Sequence, residues 1–367
     1  MVNNISQYLR PLDALRGIAA IGIALFFHYQ HFLPDMTQVP FYKIIPILIQ
    51  GGWVLVELFF LLSGMSFMIF YRERIENGEV SGWNFIVARI ARLWPVHMIT
   101  LLGVTFLQFY RIDLGIGPFT YELTDLYYVF LNVFMIHDWN IYLFPGLNYV
   151  SWTVSVEWLM YIVFFILALH RMKIHYYLLM IFIGFFICKF GDTNFLFLNV
   201  HIARGFVGFF YGCLLGEFIR KYIDIKKNYY ILNISLLIFL IIVTLLIQRF
   251  GHEVLARGGY ISFFYVFCIF PSIIFLCTNI KFISKFLMYR PFQFLGKISY
   301  SLYMSHFFIQ IILDTFSYKY MHLDFSSILV WILYSILCIC ISYIIYKYIE
   351  SPCRKFIRNK YERISAT

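Results

Sequence analysis

The first long apolar run of the chain, Leu12–Leu33, carries four ionisable side chains: Asp13, Arg16, His28 and His31. On a helix, Asp13, Gly17, Ala20, Ala24, His28 and His31 share one stripe, with Arg16 at its edge. A charged side chain at mid-bilayer costs about 2.5–3.5 kcal/mol on insertion scales, so such groups face a cavity or a partner. Two later runs add Glu157, in S-W-T-V-S-V-E-W (151–158), and His306, in S-Y-S-L-Y-M-S-H (299–306). An imidazole of ordinary pKa, about 6.5, is a base or nucleophile near neutral pH, and a carboxylate beside it can orient it. Arg16, Arg89, Arg92 and Lys297 supply cations, and arginine forks bind phosphate in a bidentate way. Together these residue types suit a reaction with a phosphorylated partner at one end and an imidazole/carboxylate pair at the other.

Each group also has a plainer reading. A membrane histidine can serve as a helix–helix hydrogen-bond donor, and Arg89 and Arg92 can act as interfacial anchors. His28 and His31 have metal-ligand spacing, but no third ligand stands nearby, so no metal is expected. Gly17, Ala20 and Ala24 suit either a channel for a slender substrate arm or the close approach of another helix.

A membrane span needs roughly 20 apolar residues. Eleven runs are candidates: 12–33, 47–71, 93–110, 123–139, 152–169, 175–190, 202–219, 229–248, 259–279, 299–316 and 326–348. Basic clusters at Arg72/Arg74/Arg89/Arg92, Arg171/Lys173, Arg220–Lys227, Lys281–Lys297 and the C-terminal end alternate with basic-poor loops. By the positive-inside rule only two crossings fit between Arg92 and Arg171. The run 123–139, broken by Asp125 and Asn132, is therefore expected to be re-entrant or interfacial on the outer side. The expected fold is an all-α integral membrane protein of the cytoplasmic (inner) membrane. It has ten crossings, both termini cytoplasmic, one multi-span domain over 1–350 and a short basic tail over 351–367. Residues 72–92 read as an amphipathic surface helix ahead of Pro95. In this orientation Asp13 and Arg16 lie near the cytoplasm, and His28 lies about 18 Å further along the axis in the outer half. Glu157 is about two turns deep from the outer face and His306 is near mid-membrane.

Composition agrees. The 367 residues are 62% hydrophobic and only 13% charged, against roughly 25% charged in soluble domains. The net charge of +10 is spread through loops as orientation charge, which argues against nucleic-acid binding. The 43 Phe and 29 Tyr exceed what interfacial belts need, so many must line helix contacts or a cavity. The seven cysteines form no C-x-x-C pair and read as small apolar fillers. The first run is too long and too polar for a cleavable signal.

The motif order resembles a family. L-D-A-L-R-G-I-A-A with a following His, F-F-L-L-S-G-M (59–65), R-I-A-R-L-W-P (89–95), S-W-T-V-S-V-E-W, I-S-Y-S-L-Y-M-S-H and Y-I-E-S-P (348–352) resemble the membrane acyltransferases of the acyltransferase 3 family, in the same order. The resemblance implies transfer of an acyl group, commonly acetyl from acetyl-CoA, to a hydroxyl of a cell-envelope polysaccharide or glycolipid. The expected partners are acyl-CoA, an envelope glycan or lipid-linked sugar, and membrane lipids, with no bound cofactor. It implies roles for Arg16 and His28. With it, Arg16, Arg89 and Arg92 become donor-binding candidates and His28 and Glu157 catalytic ones. Asp13, His31, Ser63, Trp152, Ser155, Tyr300 and His306 are further site candidates. Many members also carry an extracytoplasmic esterase-like domain that these residues do not include.

One spacing departs from the family. Family members place ten residues between the first-helix Arg and His; here there are eleven, which sets Arg16 and His28 about 120° apart on a regular helix. Either a π-bulge absorbs the extra residue or Arg16 lies outside the regular helix, with His31 as the alternative imidazole. The rival function is a proton-coupled or glycan transporter using the same His, Glu and Arg, although no inverted repeat supports it.

Overall fold

Backbone polar groups within a bilayer must be satisfied inside their own segment or a closed barrel, so long apolar runs fold as helices. The computed structural model describes residues 9–119, 126–139, 147–171, 173–190, 199–222, 229–254 and 259–364, and every regular element among them is helical. Eight helices are long and apolar enough to cross a membrane. They are α1 (Pro11–Phe32), α2 (Pro46–Phe70), α3 (Gly82–Asp113), α5 (Tyr149–Leu169), α7 (Val200–Lys221), α8 (Tyr230–Arg249), α9 (Ser262–Asn279) and Ile328–Ile357. The last divides into α11 (Ile328–Ile345), a π-helical segment Tyr346–Glu350 and α12 (Ser351–Ile364). The shorter apolar α6 (Ile174–Phe190) and the 30-residue α10 (Arg290–Lys319) hold the two remaining expected crossings. This is a multi-pass membrane protein.

Among the described residues of the run 123–139, the helix is α4 (Leu126–Val133). Its eight residues rise about 12 Å, far short of a bilayer core. Asn132 and His137 in this stretch are nonetheless buried, at 0% and 1% exposure. One face of the segment packs into protein, while Tyr127, Phe130 and Phe134 on the other stay exposed.

One expectation needs correction, and one open alternative is decided. Residues 72–92 are not one surface helix: a single turn, Arg72–Glu76, precedes α3, which starts at Gly82 under a Ser81 N-cap and runs through Pro95. Arg89 and Arg92 therefore belong to the long helix itself. The small-residue stripe on α1 is a helix crossing rather than a channel. A Cβ on Gly17 would lie 2.6 Å from Gly296 N on α10, and one on Gly296 would lie 2.2 Å from Asp13 O. Ala20 and Ala24 are fully buried in the same packing, where Tyr334 donates to Ala24 O.

Bilayers offer little hydrophobic drive between helices, so close backbone packing must hold them. The α2–α7 crossing shows how. Gly208, Gly212 and Gly216 recur every fourth residue on α7. A Cβ on Gly64 would approach Phe209 O to 1.8 Å, and one on Gly212 would approach Leu61 O to 2.1 Å. Next to this crossing Arg204 bonds Glu57 at 2.5 Å, its guanidinium between the rings of Trp53 and Trp152. All seven cysteines are free thiols.

Candidate active site

The extra residue in the first helix is absorbed where the backbone widens. After Ile21, α1 becomes π-helical over Gly22–Phe27 and then 3-10 over His28–Phe32. This local unwinding turns Phe27 against Gly52, whose added Cβ would meet Phe27 Cβ at 2.6 Å. It turns His28 toward α10 instead. His28 Nδ1 lies 2.7 Å from His306 Nε2, with the rings stacked at 5.0 Å. His31 also stacks on His28 at 5.1 Å, and Tyr149 stands 5.9 Å from both His28 and His31. Gln310 fixes the backbone by donating to His28 O at 2.7 Å.

With both imidazoles neutral, the contacts admit one consistent set of protons. His306 Nδ1 faces Leu302 O at 3.3 Å, and a carbonyl only accepts, so Nδ1 carries the hydrogen and Nε2 carries a lone pair. His28 Nδ1 must then donate to that lone pair, which leaves the His28 lone pair on Nε2. His306, fully buried, thus holds His28 in one tautomer, the task a carboxylate performs in hydrolytic triads.

Glu157 is bonded to hydroxyls rather than to His28: Ser63 donates to Oε1 at 2.9 Å, and Tyr161 makes a short bond to the same oxygen. Among the described residues Oε2 has no hydrogen-bond partner. Glu157 lines a narrow cavity of about 60 Å³, with Arg16, Ser63, Arg92, Tyr300 and Tyr303 among its walls. That volume holds a few water molecules. Tyr303 also stands beside His306, with ring centroids 5.8 Å apart. Tyr303 thus lies against both the carboxylate's cavity and the imidazole pair.

The cavity continues into a larger groove. Arg16 and Arg92 line both, and Arg74, Arg89, Arg354 and Lys355 complete a groove of about 680 Å³ in which Glu79 is the one acid among the described lining residues. Arg16 is held by Asp13 at 2.7 Å, Leu62 O at 3.0 Å and Ser66 at 2.8 Å. Arg89 donates to Tyr71 at 2.6 Å and lies over the rings of Phe67, Tyr71 and Phe85. Its buried Nε has no partner. Arg92 makes no hydrogen bond among the described residues, although the charges of Glu157 and Glu350 act on it. An arginine-rich groove with unsatisfied donors is built for an anion.

The remaining sequence candidates divide. Ser63 and Tyr300 line the cavity, Tyr300 donating to Leu93 O at 2.7 Å. Trp152 and Ser155 line neither opening. Trp152 stacks on His201 at 4.0 Å, and Ser155 accepts from Asp138 N and Trp139 Nε1. Asp13 is half exposed and serves Arg16. Sequence reasoning missed Tyr161, Glu350, Arg354, Lys355 and the Glu57–Arg204 pair. For Glu57, Arg204 and Glu350 the signal was present as charge inside apolar runs. For Arg354 and Lys355 it was hidden in an ordinary basic tail.

Comparison with known proteins adds an independent line. The family model described as an acyltransferase domain matches residues 10–347. The O-acetyltransferase OatA of Staphylococcus aureus (strain NCTC 8325 / PS 47) is 25% identical over 377 residues, covering 95% of this chain and 58% of OatA. A Staphylococcus aureus strain COL protein named as a candidate O-acetyltransferase, SACOL0978, is 24% identical over 376 residues, with the same coverage. The chain therefore spans 58% of the length of these relatives. No solved structure matches. With motifs, helices and family model in agreement, the chain belongs to the acyltransferase 3 family of membrane acyltransferases, distantly related to OatA-type O-acetyltransferases.

Proposed function

We propose that this protein is a membrane O-acyltransferase that moves an acyl group, acetyl in the first instance, from acyl-CoA to a hydroxyl of an envelope glycan or lipid-linked sugar. The observation that carries the reading is the sharing of Arg16 and Arg92 by the basic groove and the Glu157 cavity. A donor with phosphates at one end and a slender thioester arm at the other matches a wide cationic groove narrowing into a small polar cavity. We assign the groove to the cytoplasmic side because two basic clusters, Arg74/Arg89/Arg92 and Arg354/Lys355, line it, and we assign both termini to the same side.

In this reading Arg89, Arg92 and Arg16 hold the donor phosphates, and the arm passes between Arg16 and Arg92. Ser63 and Glu157 face the thioester. His28 Nε2 accepts the proton of the acceptor hydroxyl as its oxygen attacks the thioester carbonyl. The C–S bond breaks, and the coenzyme A thiolate leaves beside Arg92, whose charge offsets its own. Tyr303 must turn aside for the acyl carbon to meet the acceptor. His31 flanks the same imidazole on the acceptor side.

The test is mass spectrometry of envelope glycans from cells carrying wild-type protein or His28→Ala. O-acylation present with wild type and absent with an inserted, folded His28→Ala supports the reading. Equal acylation in both overturns it.

A further inference from the structure

The C-terminal basic residues have the composition of an orientation tail, yet two of them line the groove. The π-helical segment Tyr346–Glu350 leads directly into α12, which packs against α3. Such a widened turn shifts the register of the helix beyond it, and π segments recur at functional sites. Here it directs Glu350 into the bundle, where it is 2% exposed.

A buried carboxylate is costly unless its oxygens are matched. Glu350 Oε2 accepts from Ser301 of α10 at 2.7 Å, and Oε1 accepts from Arg354 at 3.3 Å. Glutamate four residues before a cation is the favourable helical orientation. The pair is lopsided: the Arg354 side chain stays 49% exposed while Glu350 is buried. The guanidinium is thus tethered from beneath, with its remaining donors open to the groove, facing a wall that carries Arg74, Arg89 and Arg92.

We propose that Arg354 is a phosphate-binding residue for the nucleotide part of the donor, and that Glu350, tied down by Ser301, is its positioning residue. The ligand class is a coenzyme A-type nucleotide bearing several phosphates, gripped between α3 and α12. This rests on the donor reading of the groove. A free guanidinium pays rotamer entropy on binding, whereas a tethered fork presents its N–H groups in place.

The experiment uses the full chain in lipid nanodiscs and titrates coenzyme A and pantetheine separately by calorimetry. Arg354→Ala is expected to weaken coenzyme A binding about tenfold or more, the scale of one charge-assisted bond, with pantetheine unaffected. Arg354→Lys and Glu350→Gln are expected to weaken coenzyme A several-fold, raising the donor KM while kcat at saturating donor holds. A purely structural role would instead lower kcat and thermal stability together and leave donor KM in place. If Glu350→Gln fails to insert, Arg354→Ala and Arg354→Lys decide the question. Wild-type coenzyme A affinity in Arg354→Ala, alongside loss in Arg89→Ala, overturns this proposal and leaves the donor reading standing. Wild-type affinity in Arg89→Ala, Arg92→Ala and Arg354→Ala alike overturns the donor reading itself.

Discussion

Replacing His306 with Phe removes the lone pair that fixes His28 while filling much of the same space. The His28–His306 bond is 2.7 Å long, and the two residues are 6% and 0% exposed, so water has little room to substitute. A buried donor left without its acceptor costs about 1–3 kcal/mol. The His28 ring then has reason to rotate or change tautomer, moving the lone pair off Nε2. If that cost appears in the barrier, kcat falls about 5- to 150-fold at roughly tenfold per 1.36 kcal/mol. Donor affinity stays unchanged, because no groove residue is altered. His306→Gln, which keeps a carbonyl acceptor on a side chain of similar reach, should recover part of the rate. The assay is acyl transfer by purified protein at saturating donor, with coenzyme A binding measured in parallel. Wild-type kcat in a folded His306→Phe protein would refute the tautomer argument.

Three other outcomes are expected. Gly64→Ala places a Cβ 1.8 Å from Phe209 O at the α2–α7 crossing, so the helices must separate. The cost is about 1–3 kcal/mol, read as a lowered midpoint in detergent unfolding, and an unchanged midpoint would contradict the packing account. Glu57→Gln or Arg204→Leu alone breaks a buried pair and should destabilise by about 3–5 kcal/mol, while an apolar replacement of both recovers most of it. Additive losses in the double variant would show that the pair is not coupled. Glu157→Gln keeps the size of the side chain but removes its charge beside Arg92, and should lower kcat while coenzyme A still binds. Loss of donor binding instead would place Glu157 in the groove's structure rather than in the reaction.

The helices were legible because a bilayer forces long apolar runs into one backbone solution. The run 123–139 reads as non-spanning from its polar interruptions, and its described helix, α4, has eight residues. Depth was also legible: counting residues along α1 and α10 brought His28 and His306 to the same region, where they touch. Azimuth was not. Depth alone made Glu157 the partner of His28, whereas the helix faces give the carboxylate to Ser63 and Tyr161. The spacing anomaly between Arg16 and His28 pointed to a π-bulge, and a π segment lies between them. Whether small residues make a channel or a crossing depends on the partner helix, and Gly296 of α10 decides for a crossing. Arg354 and Lys355 were hidden because a tail that orients a protein and a tail that binds an anion have the same composition.

The most direct measurement of the central claim is label transfer in liposomes containing only this protein. Isotopically labelled acetyl-CoA is supplied on the groove side, and an extracted envelope glycan or lipid-linked sugar on the other. Labelled O-acetyl ester on the acceptor and free coenzyme A released in equal amount are expected, both lost in His28→Ala and both reduced in Arg92→Ala. Movement of protons or glycan without any donor, with no ester formed, would contradict the claim and point to a transporter.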